Sequence, residues 1–318
     1  MREYQIVDEK EVTQAVARYL NTTDFTLRFI DTGLFNTSYY IEQEGEEYVI
    51  RIAPSDDAGF IFYEKNMMAQ ESGLHRLIRK KTSIPVPYIL MYDNTRTLLD
   101  RDYLIMERLP GKPLSDVYGQ TQIMFDKVLR QMGRFLGELH AITGERYGYL
   151  GEHKPMEPAQ TWWKAFHTMW NLLMDDLKDC RGYNVDEAAK MRQLLDDNRS
   201  HMDREVASSL LHMDVWTQNI LIDSEGNVTG VVDWDRALWG DPEIEFAVLD
   251  YCGISQQSFW EGYGKKRDSS KSAKIRHLFY YLYEIQKYII IARRRKKDIA
   301  RAERYKKEVW RILKRAGV

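Results

Sequence analysis

The run His212-Met213-Asp214-Val215-Trp216-Thr217-Gln218-Asn219 constrains this chain more than any other stretch. After it come Ile220-Leu221-Ile222-Asp223, the pair Gly226-Asn227, then Val228-Thr229-Gly230-Val231-Val232, and finally Asp233-Trp234-Asp235. Two short β-rich runs around a glycine-containing turn read as a hairpin. A hairpin of that length folds back on itself, so it brings Asp233 beside Asn219, fourteen residues earlier. Isolated acids are ordinarily solvated surface groups. These flank strongly apolar strands, which places them at strand ends near a core.

The chemistry follows from the residue types. A carboxylate, an amide five residues on and a second carboxylate offer oxygen atoms to a hard cation, and one metal ion could touch Asn219 and Asp233 together. Phosphoryl-transfer enzymes use this spacing to hold a hydroxyl nucleophile and Mg²⁺-ATP.

At 318 residues the chain is long enough for two lobes around a cleft. The net charge of −2 argues against nucleic acid as the main partner of the whole chain. No apolar run approaches the ~18–20 residues that cross a membrane. The opening residues Met1-Arg2-Glu3-Tyr4 lack the apolar core of a signal peptide. Cys180 and Cys252 make neither a disulfide framework nor metal-ligand spacing, so both read as reduced thiols, with Cys252 buried. These features point to the cytoplasm. Charge is uneven: from Lys287 onward there are thirteen basic and three acidic side chains, leaving the rest of the chain acidic. The run Arg293-Arg294-Arg295-Lys296-Lys297 continues a helix with an apolar face of Ile289, Ile290, Val309 and Ile312. A solvated face is the ordinary reading of such a run, and contact with nucleic acid or an acidic partner is the alternative.

Asp8 to Leu20 reads as a capped helix, with Val12, Val16 and Leu20 on one face. Strand patterns follow over Phe25–Asp31, Ser38–Gln43 and Glu47–Ala53. A helix is expected from about Phe62 to Lys80, ending before Pro85 and Pro87, and two more strands over Tyr88–Tyr92 and Tyr103–Glu107. Five strands and a helix make an N-terminal lobe, residues 1–109. Leu109-Pro110-Gly111-Lys112-Pro113 is turn-rich and marks the boundary. Residues 110–318 read as mainly helical apart from the hairpin, with helices over Phe125–Ile142, Trp162–Leu177 and Asp186–Asp203, and from about Ile244 and Ser272 onward. The fold class is α+β.

This arrangement resembles the protein-kinase-like fold, and in detail the aminoglycoside phosphotransferase and choline kinase superfamily. Leu211 to Leu221 is similar to that family's catalytic loop. Gly230-Val231-Val232-Asp233-Trp234-Asp235 with Gly240-Asp241-Pro242 is similar to its metal-binding segment. Tyr103 to Gly111 resembles its hinge and Leu136-Gly137-Glu138-Leu139-His140 a helix common in it. The likeness runs over roughly residues 25–250. Asp241-Pro242 comes almost at once after Asp233, whereas protein kinases insert an activation segment of twenty or more residues. A small-molecule acceptor is therefore favoured over a protein.

The resemblance implies that Asp214 orients the acceptor hydroxyl and that Asn219 and Asp233 hold Mg²⁺. Arg51 would contact the nucleotide phosphates, offering a fork for their oxygens. Glu71 would orient it, with Glu64 as the alternative. Gly33, Asn36 and Ser38 would close over the phosphates. Glu107 and Leu109 would present backbone groups to adenine, with Met106 lining the rear of the pocket. His212 would support the loop and Asp241 would brace it; four residues after Asp241, where the family often has a second Asp, this chain has the longer Glu245. Asp235 would be a contact for a cationic acceptor, a group behind the metal ligands, or a salt-bridge partner of Arg236. Trp162, Phe166 and Trp170 recur every four residues: core packing is the ordinary reading and an acceptor wall the functional one. Asp175, Asp176, Asp179, Glu243 and Glu261 would suit a polyamine. The implied activity is ATP-dependent (GTP possible) phosphorylation of a small-molecule hydroxyl. The acceptor would be an aminoglycoside-like antibiotic, or a metabolite of the choline, homoserine or sugar type. A nucleotide-binding pseudokinase scaffold is the non-enzymatic alternative.

Overall fold

Side-chain alternation along the first strands decides which way the N-terminal sheet faces. In a computed structural model of the chain, residues 6–33, 35–55, 59–117, 121–149 and 155–317 are described. The opening Met1–Tyr4 and Leu34 of the first hairpin loop lie outside them. Helix α1 (Glu9–Leu20) starts at Asp8, whose carboxylate accepts from the Lys10 N–H at 2.9 Å. Strands β1 (Thr26–Ile30), β2 (Thr37–Gln43) and β3 (Glu46–Ile52) follow, then helix α2 (Glu71–Lys81) and strands β4 (Ile89–Asp93) and β5 (Tyr103–Glu107). The sheet is antiparallel throughout, in the order β1-β2-β3-β5-β4. Ile50, Ile52 and Ile105 pack with Val12 and Val16 of α1. Val49, Leu104 and Met106 form a separate cluster on the other face. Period-two alternation puts Arg51 on that second face, which roofs a cleft.

The helix expected from Phe62 starts later, as a 3₁₀ turn over Met67–Gln70 that runs into α2. The reason is local. The Ile61 N–H donates to the Glu64 carboxylate and the Phe62 N–H to that of Asp176, each at 2.7 Å. Side chains thus take backbone donors at the place where helix was expected.

The second lobe begins with the short strand β6 (Lys112–Pro113), helix α3 (Gln122–His140) and strand β7 (Thr143–Gly144). Helices α4 (Trp162–Asp179), α5 (Val185–Asp197) and α6 (Arg199–Met202) lead to strands β8 (Ser208–Leu211), β9 (Ile220–Ile222), β10 (Val228–Val231) and β11 (Leu238–Gly240). Helices α7 (Pro242–Tyr251), α8 (Gln257–Tyr263), α9 (Lys271–Ile290) and α10 (Ile299–Ala316) complete it. Two three-stranded sheets, ordered β10-β9-β6 and β11-β8-β7, carry the hairpin and the loop before it. A core of α4, α5 and α9 lies on one side of them, and a core of α3, α7 and α8 on the other. Where α3 crosses α8 the backbones nearly touch: a methyl on Gly133 would collide with the Phe259 carbonyl.

The C-terminal basic run does not continue one regular helix. Ile291–Arg295 forms a π-helical turn, and Lys297 takes a positive φ of 50° before α10 starts. Arg293 to Arg295 are half-buried, so the solvated-face expectation fails for them. Arg294 reaches the Phe60 carbonyl at 2.6 Å and Asp176 at 2.7 Å, and Arg295 pairs with Glu64. The run therefore straps the second lobe to the segment before α2. Among the described residues no helix is long and apolar enough to cross a membrane.

Candidate active site

Strand β8 delivers the chain into the loop His212–Asn219, and buried acceptors hold that loop from below. Glu245 of α7, fully buried, accepts from the backbone N–H of His212 at 3.0 Å and of Met213 at 2.6 Å, and pairs with His140 Nε2 at 2.7 Å. The brace expected of Asp241 thus comes from Glu245. Asp241 instead caps α7 and pairs with Arg204 at 2.7 Å. His212 Nδ1 accepts from the Asp214 N–H at 3.2 Å, which leaves Nε2 to donate to the Val232 carbonyl at 3.1 Å. The imidazole therefore joins the loop to the end of the hairpin. Met213 and Asp233 have φ of 66° and 68°, uncommon for residues with a side chain. Each costs on the order of 1–3 kcal/mol, which the surrounding bonds must hold in place.

The hairpin closes as its turn chemistry requires. The Asp223 carboxylate accepts from the N–H groups of Glu225 and Asn227 at 2.9 Å, and Gly226 takes a φ of 76°. Ile220 faces Val231 across the ladder, and the Val232 N–H donates to the Asn219 carbonyl at 3.0 Å. Asn219 and Asp233 are thereby neighbours. Asn219 Nδ2 donates to the Asp214 carbonyl and carboxylate at 2.9 and 3.1 Å, so its amide oxygen is the end left for a cation.

Arg51 gathers the acids. Its guanidinium meets Glu71 at 2.5 Å, Asp233 at 2.8 Å and Asp235 at 3.2 Å. Asp235 pairs with Arg51 and accepts from Asn36 Nδ2 at 3.2 Å, so the expected pair with adjacent Arg236 does not form. Three carboxylates share one guanidinium. Burial pushes the Glu71 carboxyl up, and burial together with Asp233 pushes Asp235 well above the usual Asp range. The cluster is short of positive charge, which a hard divalent ion would supply through oxygen ligands. No cluster of three His, Cys, Asp or Glu with metal-holding geometry occurs among the described residues.

Asp214 faces the other way. Arg236 holds its Oδ1 at 2.8 Å and also contacts Glu284 at 3.2 Å. Burial alone would push the Asp214 carboxyl up, but Arg236 and Lys287 outweigh it and hold it below the usual range. A carboxyl held low is ionised, which suits it to orient a proton donor more than to act as a strong base.

One cleft of about 630 Å³ unites these groups. Gly33, Asn36, Ser38, Arg51, Met106, Glu107 and Leu109 line it on the sheet side, with Asp214, Asn219, Asp233 and Asp235 on its floor. The Leu109 N–H makes no hydrogen bond among the described residues, as an amide facing a ligand would. Sequence reasoning missed the far wall entirely: Arg236, Tyr251, Cys252, Lys287, Tyr288, Arg295, Lys296, Arg301 and Tyr305 line the same cleft. Their signal was the basic C-terminal run, read as a helix face. Cys252 is half-buried there, not buried, with its thiol pushed up to about 12 by burial and Glu284.

The expected acceptor acids do not gather. Trp162, Phe166 and Trp170 are at most 1 % exposed and belong to the α4 core, so none walls the cleft. Glu243 is held by Arg276 at 2.7 Å and Arg204 at 3.0 Å. Asp175 pairs with Arg192, Asp176 with Arg294 and Glu261 with Arg130. Arginines supplied by other elements pair with these four, and the fifth, exposed Asp179, does not line the cleft.

The bilobal frame, the loop–hairpin pair and the Arg51 cluster define a kinase-like small-molecule phosphotransferase. The chain belongs to the APH phosphotransferase enzyme family, whose description it matches over residues 26–269. It is similar to a probable ketoamine kinase of Vibrio vulnificus, 26% identical over 238 residues that span 73% of this chain and 74% of the relative. It is also similar to hygromycin-B 4-O-kinase of Escherichia coli, 24% identical over 228 residues, 69% of this chain and 60% of that one. In fold it resembles a Haemophilus somnus structure assigned as a fructosamine-3-kinase, with a TM-score of 0.70, 18% identity, and coverage of 96% of this chain and 97% of that one. A ternary complex of aminoglycoside phosphotransferase APH(4)-Ia with AMP-PNP and hygromycin B superposes with a TM-score of 0.67 and 19% identity, over 95% of this chain and 98% of that one.

Proposed function

We propose that this chain transfers the γ-phosphoryl group of ATP to a hydroxyl of a small metabolite in the cytoplasm, with Mg²⁺. Residues 1–109 serve as the nucleotide lobe and 110–318 as the acceptor lobe. The observation that carries the reading is the opposed placement of Asp214 and the Arg51 cluster on one cleft floor. Asn219 and Asp233 are the residues that would hold the metal. A bound Mg²⁺ would neutralise charge on the phosphates.

Arg51, released from Asp233, turns its fork to the phosphates while Glu71 keeps it aimed. Met106, Glu107 and Leu109 seat the adenine, and Gly33, Asn36 and Ser38 cover the phosphates. Asp214 orients the acceptor hydroxyl and takes its proton. The bond from the γ-phosphorus to the bridging oxygen breaks as the bond to the acceptor oxygen forms, and ADP leaves. The transition state is loose, so positioning contributes more than basicity. A metabolite is favoured over a cationic antibiotic, because four of the acids once expected to bind ammonium groups are held in ion pairs and none of the five lines the cleft.

A coupled assay of ADP release against a panel of hydroxylated metabolites and antibiotics tests this. Acceptor-dependent turnover is expected, falling by about 10²–10⁴-fold in Asp214→Ala. Turnover unchanged in that variant would overturn the catalytic assignment.

A further inference from the structure

The wall of the cleft beyond Asp214 is built by α9, the π-helical turn and the first turn of α10. It carries Lys287, Arg295, Lys296 and Arg301, and Arg236 stands beside Asp214. The carboxylates within reach are fewer and already engaged. Asp214 is paired with Arg236, Glu64 with Arg295, and Glu284 with both Arg236 and Lys287. Arg301 is half-exposed and makes no ion pair with a carboxylate among the described residues. Its guanidinium contact is the Tyr305 hydroxyl at 3.4 Å. The neighbouring Asp298 carboxylate caps α10 by accepting the Arg301 backbone N–H at 2.8 Å.

Several aromatic rings here also carry one of the chain's own cations. Tyr288 stacks with Tyr251 and with Tyr305, at centroid distances of 5.2 and 5.3 Å. Lys287 lies 4.9 Å over Tyr288 and Arg301 5.8 Å over Tyr305. Arg236 covers Tyr63 at 5.5 Å, and Arg295 covers Phe35 at 4.9 Å. A cationic acceptor would look for an unspent carboxylate or an open ring face. At this end of the cleft the chain's own cations already pair with Asp214, Glu64 and Glu284 and lie over Tyr63, Phe35, Tyr288 and Tyr305.

Resting on the kinase reading above, we propose that the acceptor carries an anionic group, a carboxylate or a phosphate, seated at the Lys287–Arg301 end of the cleft while its hydroxyl meets Asp214. Arg301 supplies a planar fork that matches either oxyanion, and Lys287, paired with Glu284 at 2.5 Å, adds positive charge behind it. The stacked Tyr288–Tyr305 pair, with Lys287 on one ring and Arg301 on the other, forms the wall of this seat. Arg301 thereby selects the acceptor without touching the reacting atoms.

Isothermal titration of the full chain, saturated with Mg²⁺ and a non-hydrolysable ATP analogue, tests the proposal with four hydroxyl probes. D-Glycerate and sn-glycerol 3-phosphate are anionic, glycerol is neutral and choline is cationic. At least one anion is expected to bind more tightly than glycerol and choline, and which of the two binds distinguishes carboxylate from phosphate. Arg301→Ala should weaken that binding by about tenfold or more, with Arg301→Lys retaining part of it. Arg301→Glu should reverse the order in favour of choline. The partly exposed position keeps these variants foldable, and their titration with the nucleotide analogue confirms that the cleft is intact. Choline or glycerol binding as tightly as the anions, neither anion binding, or an unmoved affinity in Arg301→Ala would each overturn the proposal. Failure of the analogue itself to bind brings down the kinase reading and this inference with it. Binding of the analogue without either anion brings down the inference alone.

Discussion

Asp214 is held between a burial penalty and two cations, and the cations win. Its carboxyl therefore stays below the usual Asp range. The ionised form is the competent one, so kcat/KM falls as pH drops through its pKa, and in the native chain that limb lies at low pH. Arg236→Met removes the nearer cation and leaves burial less opposed, so the carboxyl rises and the acid limb moves to higher pH. A kcat/KM profile of both proteins from about pH 4 to 9 checks this, and coincident acid limbs would count against the role of Arg236. At this scale, position along the chain was legible and partner was not. That Asp214, Asn219 and Asp233 would meet on one cleft floor could be expected, because their spacing is a sequence property. Asp235 and Arg236 are adjacent, yet they turn to opposite ends of the cleft, toward Arg51 and Asp214. Neighbours in sequence looked like a pair, and only their side-chain directions separate them.

Elements with a strong period were read to within a few residues: α1, the five strands of the first sheet, α3, and the hairpin of β9 and β10. The two-residue strands β6 and β7 were invisible, because so short a segment has no period and is recruited by the strand it meets. The π-helical turn was missed for a different reason. Its residues favour helix, and the break is stabilised by Arg294 and Arg295 reaching carboxylates far along the chain. The α3–α8 crossing gives a prediction of its own. Gly133→Val would insert a side chain where the Phe259 carbonyl lies, forcing the helices apart at about 1–3 kcal/mol. Chemical denaturation should show a lowered midpoint with an unchanged slope. A midpoint equal to that of the native chain would mean that the crossing is looser than described.

For the molecule as a whole, the cleft floor holds acids in excess of cations around Arg51 until ligands arrive. Nucleotide and metal should therefore stabilise the fold together. ATP with Mg²⁺ at a hundred times its dissociation constant should add about 2.7 kcal/mol to unfolding, read as a raised Tm. The gain should shrink when EDTA replaces Mg²⁺, and shrink likewise in Asp233→Asn. Equal stabilisation with and without the metal would exclude Asn219 and Asp233 as its holders. The same scale explains the largest revision. The sequence reads as an acidic body with a basic tail, which favoured a cationic acceptor. In the folded chain that tail packs against the acids of α4 and the segment before α2, and leaves its surplus cations in the cleft.

By itself the sequence determined the two-lobe α+β frame, the loop–hairpin unit and the polar residues that this unit sets on the cleft floor. Each of these rests on local periodicity, turn chemistry or fixed spacing within some twenty residues. Only the tertiary structure decided which acids remain available and what charge the acceptor meets. Ion pairs such as Arg295 with Glu64 join residues more than two hundred apart. No local pattern encodes which distant cation will neutralise a given carboxylate, because that depends on how the lobes pack.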